Sequence, residues 1–430
     1  MTLASVEQVQ FGLAKESSRG TAETTPTKWY PIDKSSQLDY ALALLKDENL
    51  RGSPEEFPPN AGVKTGTGKI KLPLDSQNVS EFLYSTLGAV TSAEQTVITI
   101  SSSNRHIDFN IGSSDLDATI ATGDYVIGTT SATASTLCKA IKDALFAADA
   151  TGTYTVTYSR TTQKFSIIRS TGTFNIKWTT GTNVANGAAT ILGYTADDTG
   201  ALTYVSDSQV YYAFKHTFVR GGTIQRPGYT FFLDRGLSVK KYNLTTVKKW
   251  VLTVPVDNLI MMEADVLFKA EASGSIGSPA YPVNEYLGFN HATIKVGGVA
   301  NTDVHNLTLN VDNGAKAQRT LSQTQDVADI LVAGKFMIDG SFTIFFQDEV
   351  ERAKFLANTS NTLQITMAGA TIQGTYKYTV DINLYRIHYK AYPFGEQDGL
   401  LAAKVDFTGV YSSTDSKAIQ IDVTNQDVSY

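Results

Sequence analysis

The stretch GVKTGTGKIKLPLD, Gly62 to Asp75, ends its glycine run in Gly68-Lys69 and poses the question of a phosphate-binding loop. Such a loop needs a glycine five positions before the Gly-Lys pair and a magnesium-binding Ser or Thr just after it. Val63 and Ile70 stand there instead. A phosphate loop also opens a helix, whereas Ile70, Leu72 and Leu74 alternate with Lys69 and Lys71, the pattern of a half-buried strand. Pro73 points to an edge strand, and the glycines before it read as the mobile stem of a loop. Ser238-Val-Lys-Lys241 and Lys64-Thr-Gly66 match fragments of serine acyl-enzymes, but in reversed order and with no S-D-N between them. The five histidines (His106, His216, His291, His305 and His388) include no i, i+4 pair, and neither H-E-x-x-H nor C-x-x-C occurs, so no metal site is expected. Cys138 is the only cysteine, which leaves no disulfide framework. The acid pairs Glu55-Glu56 and Asp197-Asp198 lie in polar loops and read as solvated. No catalytic residue, cofactor or metal is assigned.

With chemistry absent, the elements themselves become the subject. The chain has 430 residues, enough for two or three domains. Hydrophobic residues make up 42%, sufficient for a packed core, while charged residues at 18% fall below the usual share of about 25%. Abundant Tyr, Phe and Thr with little Pro favour strands. A net charge of −6 gives no basic footprint for gripping nucleic acid. No run of 18 apolar residues and no secretory leader is present, so a soluble protein made in a cytoplasm without a membrane span is expected.

Two segments repeat one plan. After the Ile70–Leu74 strand comes a helix, with Ser76 expected as its cap, Val79, Phe82, Leu83 and Leu87 on its apolar face, and Gly88 as its stop. Downstream, Gly340 leads into Phe342, Ile344 and Phe346, followed by a helix capped near Asp348 and carrying Val350, Phe355 and Leu356. Gly68 is aligned with Gly340, and ADVLFKAEAS from Ala264 with AKVDFTGVYS from Ala403. Long polar segments, Leu45–Lys64 and Asn313–Asp329, precede the two strands. The chain reads as duplicated. Gly68 to Phe268 spans 200 residues and Gly340 to Phe407 only 67, so the first copy holds an insertion. The Thr/Gly/Ala-rich region from about Gln95 to Asp207 fits it. Strands are expected there at Ile107–Ile111, Tyr154–Tyr158, Lys164–Ile168 and Phe174–Trp178, with an amphipathic helix at Ala134–Ala148 whose apolar stripe is flanked by a buried Cys138.

The opening FGLAKESSRGTAETTPTKWYPI resembles that of tail tube proteins of tailed bacteriophages, and VKTGTGKIKLPLDSQNVSEFLYSTLGAV is similar to their glycine-strand-helix unit. The half from Asn306 resembles the second domain of two-domain members. The resulting expectation is a mainly β chain with short helices: two tandem tube-type β-sandwich or barrel domains, residues 1–94 with 207–280 and residues 281–430, plus an inserted small α+β domain at 95–206. The resemblance implies a structural virion protein, made in the host bacterial cytoplasm and working in the virion tail. It implies self-assembly into stacked rings around a channel for double-stranded DNA. It further implies contacts with tape-measure, terminator and tip or baseplate proteins, and with a sheath where the tail is contractile. Duplication suggests three chains per ring with pseudo-sixfold symmetry; six chains is the alternative. Stacking between rings is assigned to the long polar loops, at Asp47, Glu48, Arg51, Glu55, Glu56 and Phe57, and at Lys316, Arg319, Gln323 and Asp326. Two other readings stay open: a tail-tip or surface protein binding host carbohydrate through the insertion, and a β-sandwich hydrolase.

Overall fold

The computed structural model describes residues 8–46, 49, 55–95, 97–282, 286–321 and 324–430. Nine strands form the central sheet and are labelled in chain order: β1 (Gln37–Leu45), β2 (Asn60–Pro73), β3 (Val239–Val254), β4 (Met261–Phe268), β5 (Val304–Asp312), β6 (Met337–Phe345), β7 (Tyr376–Ala391), β8 (Phe394–Gln397) and β9 (Leu400–Gly409). They pair antiparallel in the order β1-β2-β4-β3-β5-β6-β9, with β7 and β8 in succession along the far side of β9. Alternation decides which face is buried. Ile70, Leu72, Val266, Trp250, Leu309, Phe342 and Phe407 all join one apolar cluster, while most of their neighbours in sequence are polar, Val251, Leu267 and Pro73 excepted.

Strands β3 and β7 are each 16 residues long and outrun the sheet. Their first halves pair instead with Tyr229–Asp234 and Ala270–Ser273, and with Asn361–Gln373 and Ile419–Asn425. Phe231, Ile365, Ile382 and Ile421 from this second layer enter the same cluster, which makes the body a mainly β sandwich. Pro73 is not a mark of an edge: β2 is flanked by β1 and β4, and Pro73 is merely its last residue. Nor do the glycines form a mobile stem. Gly62, Gly66 and Gly68 lie inside β2, and a Cβ on Gly66 would sit 2.3 Å from the Phe268 ring.

One strand register recurs in the two segments that the sequence aligns. Gly66 faces Phe268 and Ile70 faces Ala264; Gly340 faces Phe407 and Ile344 faces Ala403. The two cross-strand pairs superpose β2-β4 on β6-β9, and the downstream segments correspond as the sequence alignment has them. The glycine alignment does not survive: Gly66, not Gly68, is the counterpart of Gly340. A Cβ on Gly340 would lie 2.4 Å from the Phe407 ring, so both glycines give way to an aromatic ring on the next strand.

The helices also repeat, unequally. Ser80–Leu87 buries Phe82, Leu83 and Leu87 and ends at Gly88, whose φ of 85° suits glycine. Val79 occupies its N-cap and Ser76 lies in the preceding turn, so the expected Ser76 cap is absent; three residues, Gln77 to Val79, lie between Ser76 and the helix. Near the second helix, Val350–Leu356, Asp348 accepts a hydrogen bond from the Val350 amide at 2.9 Å. Val350 and Leu356 remain exposed.

Strand Gly88–Glu94 leads out of the body and Phe214–Arg220 returns, paired residue for residue from Glu94 opposite Phe214 to Gly88 opposite Arg220. Between them lies a separate apolar cluster drawing on Ile98 through Phe214. Its strands at His106–Ile111, Tyr154–Ser159, Lys164–Arg169 and Phe174–Ile176 match the expected positions. The helix is shorter than expected, Leu137–Ala148, because Thr136 caps it by accepting from the Lys139 amide. Cys138 is fully buried in it. Arg169 and Asp149 form a buried ion pair in this cluster at 3.1 Å, joined by the Tyr154 hydroxyl.

Candidate assembly interface

Where the copies meet, β3 of the first pairs directly with β5 of the second, from Lys249 opposite Asp312 to Val254 opposite Leu307. Trp250 and Val311, facing each other, are 1% and 0% exposed. The eight positions across the two copies thus make one continuous sheet rather than two domains in contact. Among the described residues both of its ends are open: β1 pairs only with β2, and β8 only with β9.

A hairpin of the second copy, Ala315–Gln318 with Asp329–Val332, reaches back over the first. Ala315, Val327, Ile330 and Val332 pack with Leu244 and Leu267 in a small cluster of their own. Arg19 fixes it, with its guanidinium on the Asp329 carboxylate, on the Ile330 carbonyl at 2.6 Å and on the Arg226 carbonyl at 2.8 Å. Burial alone would raise the Asp329 carboxyl, but the hydrogen bonds from Arg19, Ile330 and Gln225 outweigh it and hold it below its usual range. The Gly20-Thr21-Ala22-Glu23 run shapes the loop that presents Arg19. Gly20 has φ 84°, its amide donates to Glu16 at 2.6 Å, and Glu23 accepts from the Ser17 amide at 2.7 Å.

The face of the sheet opposite the core is polar. Acids Asp39, Glu263, Asp265, Asp312, Asp339 and Asp406 share it with Lys69, Lys71, Lys249, Lys404 and Lys390, the last paired with Asp339 at 2.6 Å, leaving it slightly acidic. Each of the first three lysines stands opposite a carboxylate on an adjacent strand: Lys69 by Asp265, Lys71 by Glu263, Lys249 by Asp265 and Asp312. Lys69 also bonds Glu263 at 2.7 Å, which holds its ammonium above the usual range. A face so balanced offers phosphate no unpaired row of cations. Sequence reading could not name these residues, although their alternation with the core positions was the signal.

Among the expected stacking residues, Asp47, Glu48, Arg51 and Gln323 lie outside the described residues. Glu56 is exposed and pairs with Lys46 at 2.6 Å. Glu55 is exposed and Phe57 half-buried, beside the tip of the β1-β2 hairpin. That hairpin is longer than expected, since residues assigned to a loop between Leu45 and Lys64 begin β2 at Asn60. The second segment is likewise no plain loop but the hairpin above. Lys316 faces outward on it. Arg319 donates to the Lys64 carbonyl at 3.0 Å and to the Thr65 hydroxyl at 2.8 Å, and Asp326 accepts from the Tyr40 hydroxyl. Among the described residues, no group of three or more His, Cys, Asp or Glu could hold a metal, and no helix is long and apolar enough to cross a membrane. Asp197 and Asp198 are used locally, accepting from Thr179 and Thr180 and from the Trp178 indole.

A comparison with protein families matches residues 7–409 to the family described as "Phage tail tube protein". The chain belongs to the phage tail tube family. A comparison with curated proteins returns no match. As a tail tube protein the chain is a structural component of the virion tail. The 7–409 match runs straight through the insertion, so the inserted region lies inside the family span.

Proposed function

We propose that the chain polymerises into stacked rings whose polar sheet face lines a conduit for double-stranded DNA, with three chains per ring. The observation that carries this is the in-chain joint: two copies lie side by side in one sheet, and the sheet ends in two open edges. Closing such a sheet into a barrel removes the edges, which otherwise invite uncontrolled pairing. Barrel diameter follows strand number. With strands about 4.8 Å apart and tilted about 35–45°, sixteen strands from two chains give roughly 30–35 Å between backbones, and twenty-four from three chains roughly 45–52 Å. Side chains take about 10 Å of either, so three chains leave ample width for a hydrated duplex and two leave little. The slightly acidic lining repels phosphate weakly and lets the duplex slide. The segment between β1 and β2 makes the contact to an adjacent ring, with Glu55, Glu56 and Phe57 taking part, and the insertion projects from the outer wall. The tube's two ends meet other tail proteins. Electron microscopy of the concentrated pure protein tests this. Tubes with three protrusions in averaged end-on views are expected; six equivalent protrusions would sink the three-chain ring, and a protein that stays monomeric at all concentrations would sink the proposal.

A further inference from the structure

The internal joint specifies, residue by residue, how one chain meets the next. Phe394 faces Ala403 as Trp250 faces Ala264, which places Phe394 of β8 at the position that Trp250 holds in β3. Leu309 faces Gly340 as Tyr40 faces Gly66, which places Leu42 of β1 at the position that Val311 holds in β5. Inside the chain, Trp250 and Val311 face each other and are almost wholly buried. Their counterparts are not: Phe394 and Leu42 are each 45% exposed, on strands with one side unpaired. Phe394 already packs edge-on against Phe346 and Tyr392 on one side; an aromatic and an aliphatic side chain, buried where the joint is made and half exposed where it is not, mark two halves of one contact.

We infer that β8 of each chain pairs antiparallel with β1 of a second copy, in the register Phe394 opposite Leu42 through Gln397 opposite Asp39. This rests on the ring reading above and commits it to one register. The contact is head-to-tail: the β8 edge recognises the β1 edge and not another β8, so it closes rings rather than two-fold pairs. A register slip by one residue would set Leu42 and Phe394 on opposite faces, and a slip by two would set Phe394 beside Tyr40 or Leu44, so the in-chain template selects a single alignment.

The test uses two double variants of the full chain, Asp39→Cys with Gln397→Cys, and Ala41→Cys with Gln397→Cys. Asp39 and Gln397 correspond to Thr308 and Thr253, which face each other across the in-chain joint. Directly opposed positions have Cβ atoms about 4.5–5.5 Å apart and can be bridged, whereas the displaced pair lies beyond reach. Cys138 is buried and adds no competing thiol. Under mild oxidation, rings of the first variant should give covalent dimers and trimers on a non-reducing gel, stopping at three, and the second should give none. Rings or tubes without bridging in the first variant, or bridging mainly in the second, would overturn the register and leave the tube reading standing. Unmodified protein that forms no rings, with no bridging in either variant, would overturn both. Leu42→Asp supplies an independent reading, because Leu42 is exposed in the free chain. It should yield folded monomer needing at least ten times more protein to assemble, and assembly at the normal concentration would overturn the proposal.

Discussion

Replacing Gly340 with Ala should destabilise the body sharply although it adds one methyl group. The new Cβ would stand 2.4 Å from Cζ of Phe407 and 2.5 Å from the Thr308 carbonyl oxygen. The ring has nowhere to go, since Phe407 is fully buried with the Phe342 ring centred 5.9 Å away. The oxygen belongs to β5, held between β3 and β6. Overpacking costs about 1–3 kcal/mol, and two contacts this close, one of them to backbone, place Gly340→Ala near about 3 kcal/mol. For a unit of about 150–250 residues, each kcal/mol moves the midpoint by roughly 2–4 °C, so a fall of about 6–12 °C is expected. Phe407→Leu removes the ring tip but not the oxygen. The double variant should therefore be less damaged than the sum of the singles, by about 1–2 kcal/mol. The measurement is thermal unfolding by tryptophan fluorescence in a Trp178→Phe background, which silences the insertion and leaves Trp29 and Trp250 to report on the body. A midpoint within about 1 °C of the parent, or strict additivity in the double variant, would refute the ring-over-glycine account.

Arg169→Met strands the Asp149 carboxylate in the insertion core; a loss of about 3–5 kcal/mol is expected there, seen as early quenching of Trp178 while the body transition stays put. Burial pushes the Asp149 carboxyl up, but hydrogen bonds from Thr151, Tyr154 and Arg169 outweigh it and bring it to about 2. Its stabilisation is therefore complete above the ordinary carboxylate range near 4 and is lost as pH falls toward 2, and Asp149→Asn should flatten that acid limb in a pH series of unfolding curves. Burial lowers His216, which lies between Ser92 and the Asn425 side chain with Asp427 and Lys28 nearby. The unfolded chain then takes up the proton first, so urea midpoints of the body should drop as pH falls below about 6.5, and His216→Gln should remove most of that slope. Replacing residues 95–213 with a short Gly/Ser linker should leave a folded protein that still forms tubes, with a smooth outline in end-on views; a folded variant that no longer polymerises would give the insertion a part in the wall.

The strands were legible wherever apolar and polar residues alternate over five or more positions, as at Ile70–Leu74 and in the four strands expected within the insertion, because period two is fixed by backbone geometry; five further strands there, such as Ser114–Thr119 and Thr203–Val205, were missed. The duplication was legible too, but its alignment slipped by two residues. A slip of two keeps every side chain on its face, so alternation cannot detect it, and only the opposed Phe268 and Phe407 show which glycine answers which. Ser76 misled because a hydroxyl before an apolar stripe reads as a cap, whereas the chain makes a turn before helix geometry begins. Val350 and Leu356 carry helical spacing yet stay exposed, since spacing reveals an apolar face without revealing what covers it. The interface was the least legible part. Arg319 and Asp326 find partners more than 250 residues away, and no local pattern says that β1 and β8 each lack a neighbour on one side.

The strands that carry the insertion out and back are hydrogen-bonded neighbours from Glu94 and Phe214 inward. To the wall, the whole inserted region is therefore equivalent to a hairpin turn. The entropy of closing a connection grows only as the logarithm of its length, about 0.6 kcal/mol for each doubling, and a module that folds with its own ends together adds less still. A pull on such a module opens the pair one rung at a time from its outer end and never shears the strands that hold the sheet. The Glu94–Phe214 rung is thus a socket, and in the tube proposed above the exterior of the particle can change by replacement of that module while the conduit stays the same.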